Sequence, residues 1–374
     1  MTTSPRTRLG AAIGALALAG AIALSGCGAQ EPPATNTDTP KSSSPAAPQE
    51  STAPAADSLV PPAEGKTTYP LTLETPWGST ELTKRPERIA AVTPSQDDAE
   101  ALAAMGVTPV LANETTTDVF LEEALTQPIP NRFVRGDSPF PIEQIAKAEP
   151  DLIVVINTDL TDDYAKLSSI APVLAITQAE GSEMKIANDW KSNVLRIGEV
   201  LDLSGAAQAA LDKEEAFFAK FRTDNPDLAG KSVSYLVYYG DEGGLQFHSS
   251  TGSPVAGTFE RMGLTISPNA KDLQYRQEIS EELMSAVDAD IIVFSDNSGG
   301  NHAVVTDQPL FKNLSAVKNN HLVLIDNKSE EGTFVIDGQT SEGNLPWALA
   351  RSGPLSAVWA AGKLAPALIA AQAR

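Results

Sequence analysis

Few residues of this chain have the types and spacing to do chemistry. His248, His302 and His321 all fall in the second half, and Cys27 is the only cysteine, so no intramolecular disulfide can form. A bare metal ion held between two halves of a protein draws His and carboxylate ligands from both sides. Here every imidazole comes from one side, and no metal site is expected. His321 directly precedes an apolar run and reads as a turn residue, and His302 follows the polar stretch Ser298–Asn301. His248, within Leu245–Ser253, lies nearest a strand end and is the one imidazole kept in view. There is no G-x-S-x-G elbow, no P-loop, no H-E-x-x-H and no G-x-G-x-x-G behind a strand. These absences point away from an enzyme and towards a binding module.

Two carboxylates recur with the same spacing. In IEQIAKAEPDLIVV, Glu143 stands eight positions before Asp151; in EELMSAVDADIIVF, Glu282 stands eight before Asp290. Each glutamate is near the start of an expected helix, where the macrodipole favours an acid and a capping role is the plain explanation. Glu281 is the neighbour with which Glu282 is most easily confused. Each aspartate opens an apolar run.

The elements around these acids repeat as well. AMGVT (Ala104–Thr108) is echoed by RMGLT (Arg261–Thr265), and LSSIAPVLAI (Leu167–Ile176) by LSAVKNNHLVLI (Leu314–Ile325). Continuous apolar strands alternate with helices, the mark of a parallel sheet covered on both faces. The expected fold is α/β: two β/α lobes with central, mostly parallel sheets and a ligand cleft between them. Between the lobes, Trp190, Val194, Ile197 and Leu201 fall at helical spacing. A second helix, from about Ser204 to Arg222, would span about 28 Å, a stiff strut rather than a hinge. Ligands of such sheets sit at the carboxyl ends of the strands.

At the N-terminus, Arg6 and Arg8 precede the uncharged run Leu9–Leu24, too short for a membrane span. It ends in LSGC, Leu24–Cys27, which resembles the bacterial lipobox, whose cysteine is acylated. Residues 28–68 carry no aromatic ring and are rich in Pro, Ala, Ser and Thr, so they bury too little surface to fold. They read as a tether with a coil span of about 35 Å. The expected organisation is signal peptide 1–26, lipidated Cys27 and tether 27–68, first lobe 69–185, connecting helices 186–230 and second lobe 231–374. The formal charge of −21 repels nucleic acid and anionic lipid.

The stretches YPLTLETPWGSTELTKRPERIAAV, PIEQIAKAEPDLIVV, DWKSNVLRIGEVLDLSGAAQA, ISEELMSAVDADIIVFS and LFKNLSAVKNNHLVLID resemble the iron–siderophore substrate-binding lipoproteins of ABC importers. That family also includes haem and vitamin B12 binders. The resemblance implies a two-lobed fold with a helical strut and little hinge motion. It implies a lipid-anchored monomer on the outer face of the cytoplasmic membrane that hands a ferric siderophore to a permease dimer with its ATPase subunits. It also gives Glu143 and Glu282 a role: one glutamate per lobe docks on arginines of the permease.

A ferric siderophore brings its own iron ligands, so no cofactor or protein-held metal is expected. The protein must offer aromatic surface and a few donors. Loops behind the strands supply Arg135, Tyr239, Phe247 and Arg351 as candidates, with a surface arginine or a core aromatic as the ordinary alternative for each. Trp347 reads as packing. Two other readings stay open: the same module holding haem or a corrinoid, with Tyr239 or His248 as an axial ligand, and a surface lipoprotein without transport function.

Overall fold

The computed structural model describes residues 58–114, 118–134, 139–176 and 189–374. Cys27, residues 1–26 and Arg135 lie outside the described residues.

The first lobe opens with an antiparallel hairpin, β1 (Leu71–Thr75) and β2 (Gly78–Leu82). Five strands follow: β3 (Ile89–Ala91), β4 (Leu111–Asn113), β5 (Asn131–Phe133), β6 (Leu152–Ile156) and β7 (Val173–Ile176). They form a parallel sheet in the order β5-β4-β3-β6-β7. Between them run α1 (Asp97–Ala104), α2 (Val119–Ala124), α3 (Ile142–Lys147) and α4 (Tyr164–Ser168). β3 and β6 are buried at every position. Their sequences, IAA and LIVVI, therefore show no polar alternation, because a strand covered on both faces has no solvent side.

The strut is α5 (Trp190–Val200) and α6 (Ser204–Asp224). At 21 residues α6 is slightly longer than its sequence suggested. Ala207, Ala210, Glu214, Phe218 and Phe221 recur every three or four positions as its buried stripe.

The second lobe begins with β8 (Ser232–Tyr238), a single turn α7 (Gly240–Gly243), β9 (Leu245–Phe247) and α8 (Pro254–Arg261). Then come β10 (Thr265–Ile266), β11 (Gln277–Glu278), a 3-10 helix (Glu281–Val287) and β12 (Ile291–Asp296). Three short turns, α9 (Ala303–Thr306), α10 (Pro309–Lys312) and α11 (Ser315–Lys318), lead to β13 (Leu322–Lys328), β14 (Thr333–Ile336) and β15 (Gln339–Glu342). Helices α12 (Leu345–Arg351) and α13 (Ser356–Gln372) close the chain.

The sheet runs β11-β9-β8-β12-β13-β14-β15, with β10 also on β8. Its centre is parallel, as expected, but β9, β11, β14 and β15 pair antiparallel. The link between β14 and β15 explains one edge. Asp337 (φ 49°) and Gly338 (φ 76°) form a two-residue turn with both residues left-handed, which only an antiparallel hairpin accepts.

The duplication expected from sequence is present in atomic detail. Gly106 (φ 77°) and Gly263 (φ 90°) end α1 and α8 in the left-handed region. Val107 N then donates to Leu102 O at 2.9 Å, and Leu264 N to Phe259 O at 3.0 Å, the same helix-closing bond in each lobe. The repeated aspartates match too. Asp151 accepts from the backbone N–H of Arg88 at 2.8 Å and of Glu87 at 3.0 Å, and Asp290 accepts from Ser232 N and Ser232 Oγ, both at 2.8 Å. Each aspartate precedes one central strand and latches the entry of its partner, β6 to β3 and β12 to β8.

The end of the expected tether belongs to the body. Val60 is only 3% exposed. Asp202 accepts from the backbone N–H of Gly65, Lys66 and Thr67 at 2.7 to 3.0 Å. Glu64 accepts from Gly205 N at 2.7 Å and Ala206 N at 2.9 Å, capping the first turn of α6 from far away in sequence. Backbone hydrogen bonds hold residues 58–68 where composition predicted a coil.

One apolar core runs through both lobes, the strut and α13, with a satellite core in each lobe. The Trp359 ring on α13 lies 5.9 Å from Phe120 of the first lobe and 5.9 Å from Phe334 of the second. The lobes are thus distinct as sheets but share a core, and α12 and α13 serve both.

Replacing Asp151 or Asp290 with Ala should cost about 1–3 kcal/mol each, because each leaves strand-entry donors without their acceptor. The two losses should add, since the sites lie in separate sheets. Urea unfolding of the single and double variants measures both; a double loss well below the sum would mean the latches are not independent.

Candidate functional site

β8, its antiparallel neighbour β9 and the loop before β11 carry an aromatic and polar cluster. Tyr239 follows β8. His248 follows β9 and pairs across to β8, its N–H donating to Tyr235 O at 2.9 Å. The imidazole lies 6.0 Å from the Tyr239 ring, 5.2 Å from Tyr275 and 6.1 Å from Tyr235. The Arg276 guanidinium stands 6.0 Å over Tyr239. Arg276 takes φ 60°, a left-handed conformation rare for a side chain of its size, and its N–H donates to Phe247 O at 2.7 Å. That bond ties the arginine to the edge of the sheet.

His248 is 5% exposed, and its Nε2 has no hydrogen-bond partner among the described residues. Burial, helped by the Arg276 charge, pushes its pKa down to about 4, so the ring is neutral at physiological pH. Burial raises the pKa of Tyr239 and Tyr275, so both remain phenols able to donate. Asn327, near the carboxyl end of β13, is buried with both amide atoms unpartnered. Buried polar atoms of this kind normally have partners. Tyr239 and Asn327 lie at the carboxyl ends of β8 and β13, the edge at which β/α sheets bind ligands.

Of the pocket residues expected from sequence, Tyr239 is in this cluster and Arg135 is outside the described residues. Phe247 is not in the cluster. It is 0% exposed and packs in the second-lobe core with Leu236 and Phe294. Side chains alternate faces along a strand, so Phe247 and His248 point to opposite sides. Tyr275 and Arg276 were not singled out from sequence. Their one signal was an aromatic–cation pair in the polar loop DLQYRQE. Trp347, expected to pack, is 43% exposed on the first turn of α12. His321 holds a turn as expected, Nδ1 lying 2.9 Å from Asp290 O, and His302 Nδ1 lies 3.3 Å from Asp296.

Arg351 is corrected from ligand donor to a tie between lobes. It is 8% exposed. Its guanidinium meets Asp118 Oδ2 at 2.7 Å, Gln96 O at 2.8 Å, Glu100 Oε2 at 3.0 Å and Asp97 Oδ1 at 3.8 Å, all on the first lobe. Burial works against its charge, but Glu100, Asp118 and Asp97 together hold its pKa above the usual value. Burial raises the pKa of Asp97 and pushes neighbouring Asp98 up to about 7. Glu100 also accepts from Leu355 N and Ser356 N at 2.8 and 2.7 Å, capping α13. Gln96 (φ 62°) lies in the loop after β3, so Arg351 fixes a first-lobe loop at the strand ends.

A cavity of about 570 Å³ opens along α8, lined by Trp190, Lys191, Ser253, Arg261 and Ser352. It lies beside the strut rather than at the strand ends. Its buried arginines are already matched, Arg261 by Glu214 and Arg351 by its three acids. The aromatic cluster is therefore the stronger candidate.

Glu143 sits in the first turn of α3, and Glu282 in the first turn of the 3-10 helix, which replaces the expected α-helix. Both are exposed, as is Glu281, and neither Glu143 nor Glu282 has a partner among the described residues. A connection that returns from one parallel strand to the next starts at the carboxyl edge, so both glutamates lie on the cleft side of their sheets.

The sequence profile of the family described as Periplasmic binding protein matches residues 89–329. The Fe(3+)-citrate-binding protein YfmC of Bacillus subtilis is 26% identical over 247 residues, 65% of this chain and 74% of that protein. The iron(3+)-hydroxamate-binding protein YxeB of the same organism is 25% identical over 204 residues, 51% of this chain and 60% of that one. A periplasmic solute binding protein from Mycobacterium smegmatis superposes with a TM-score of 0.62 at 24% identity, covering 81% of this chain and 99% of that structure.

Replacing Arg351 with Leu should destabilise the protein by roughly 3–5 kcal/mol, since it strands three buried carboxylates. The deficit should be largest at neutral pH and above, and shrink as pH falls and Asp97, whose pKa burial raises, takes up a proton. Thermal unfolding of both proteins from pH 4 to 8 checks the sign; a deficit that grew towards low pH would contradict the assignment.

Proposed function

The chain belongs to the periplasmic binding protein family, and from that premise we propose that it captures a ferric siderophore outside the cytoplasmic membrane for an ABC importer. The observation that carries this reading is the cluster of Tyr239, His248, Tyr275 and Arg276 beside β8 and β9. It offers aromatic surface, phenol donors and one cation, the groups that recognise a complex whose iron is already coordinated. The names of the Bacillus subtilis relatives, a ferric citrate binder and a ferric hydroxamate binder, support the same ligand type. In this reading the protein supplies no iron ligand and no resident cofactor. Acylation of Cys27 anchors it, and the exposed, unpartnered Glu143 and Glu282 dock on arginines of a permease dimer. Each exposed ion pair contributes under about 1 kcal/mol, and serves orientation and encounter more than affinity.

Tryptophan fluorescence titration with ferric citrate, a ferric catecholate, a ferric hydroxamate, haemin and cobalamin tests the capture step. Saturable, sub-micromolar quenching by a ferric chelate, absent with its iron-free form, is expected. A response confined to haemin or cobalamin would replace the siderophore reading, and silence across the panel would remove the capture reading altogether.

The docking step has its own test. Glu143→Arg combined with Glu282→Arg should abolish cellular uptake of the bound chelate while leaving its affinity unchanged. Normal uptake by that double variant would refute docking through these residues.

A further inference from the structure

Arg276 is a cation without a counter-charge in a strongly acidic chain. The formal charge is −21, yet Arg276 makes no ion pair among the described residues. Its only polar side-chain contact is a marginal one, Nε to Gln246 Oε1 at 3.5 Å. The groups around it can donate: the hydroxyls of Tyr239 and Tyr275, and the neutral imidazole of His248 in its Nε2–H tautomer. Among the described residues Arg276 is the one ionic charge acting on these three rings, and no carboxylate among them does so. The nearest acid along the strand, Glu278, stands opposite Gln246 on the same face, but its carboxylate turns towards Gly244 and makes no ion pair with Arg276 among the described residues. The second-lobe half of the cleft is thus a local anion-receiving surface. Long-range repulsion by the rest of the chain makes such a surface necessary if an anion is to settle there.

We propose that the ligand is a negatively charged ferric complex, its iron held by carboxylate or catecholate oxygens, and that Arg276 selects it. This rests on the capture reading and narrows it. An anionic complex gives Arg276 the charge-assisted partner it lacks, and gives the phenols and the imidazole oxygen acceptors. A neutral or cationic tris-hydroxamate complex would cover the guanidinium without compensating it, at a desolvation cost. Similarity does not decide between these classes, since the two relatives are named for citrate and for hydroxamate. The local chemistry of Arg276 does.

The test uses the full chain in detergent and measures dissociation constants for ferric citrate, a ferric tris-catecholate and a neutral ferric tris-hydroxamate. It compares wild type with Arg276→Gln and Arg276→Lys. The side chain is exposed, so neither substitution disturbs the core, and unchanged unfolding midpoints would verify this. The wild type should bind one of the anionic chelates at least tenfold more tightly than the hydroxamate; which one identifies the donor type. Arg276→Gln should lose about tenfold for the anionic chelate, in line with the loss of one charge-assisted hydrogen bond, and nothing for the hydroxamate. Arg276→Lys should recover part of the loss. Preferred binding of the hydroxamate, or anionic binding unaffected by Arg276→Gln, would overturn the selection by charge and leave siderophore capture standing. Binding of no ferric chelate would overturn both.

Discussion

A single buried guanidinium sets the geometry of this molecule. Arg351 comes from a helix that follows the second-lobe sheet, but its partners, Asp97, Glu100, Asp118 and the Gln96 carbonyl, all belong to the first lobe. A charge taken out of water this completely persists only if its surroundings are fixed. Those surroundings include α1, α2, the loop after β3 and, through Glu100, the start of α13. Around the same junction Trp359 joins aromatic rings from both sheets. The relative position of the lobes is therefore held by oriented polar contacts and a shared apolar core, and the strut is only one of three connections.

Within that frame, the duplicated unit divides its acids between two tasks. Asp151 and Asp290 are spent on the fold: each accepts hydrogen bonds from the entry of the neighbouring strand. Glu143 and Glu282, eight positions earlier, make no such contacts and face solvent. Equal spacing from a structural aspartate places an uncommitted glutamate at the same point on each sheet. The interval is preserved even though one connecting helix is α and the other 3-10.

What could be read in the sequence was what depends on short range. Fully apolar strands announced a parallel sheet, and the Met-Gly pairs announced the ends of α1 and α8. The Glu–Asp interval announced the duplication. The strut was legible from its periodicity, apart from its last two residues. The site was legible only in part. Tyr239 follows a strand and could be found, but Phe247 was taken for a ligand contact where its neighbour His248 faces the cleft, a one-residue difference in strand parity. Tyr275 and Arg276 reach the site by a pairing of edge strands that no local pattern encodes. Arg351 looked like a free arginine because its acids are more than 230 positions away. The antiparallel edge was written in Asp337–Gly338 and passed unnoticed among longer β/α signals. The tether expected over residues 28–57 lies outside the described residues, and composition could not show that residues 58–68 borrow hydrogen bonds from the strut.

That borrowed attachment has a mechanical consequence. The described chain begins at Ser58, and within a few residues it is fastened to the α5–α6 junction by Asp202, by Glu64 and by Arg85, whose guanidinium donates to Pro61 O and Leu201 O. A tension applied at Ser58 is carried by these bonds, loaded together in shear, into the connecting helices. The same segment is also tied to the first lobe, where Leu59 O accepts from Thr108 N at 2.8 Å and Ser58 O from Gln127 Nε2 at 3.0 Å. A pull at Ser58 therefore falls on the strut and the first lobe together, and among the described residues no hydrogen bond carries it directly into the second-lobe sheet.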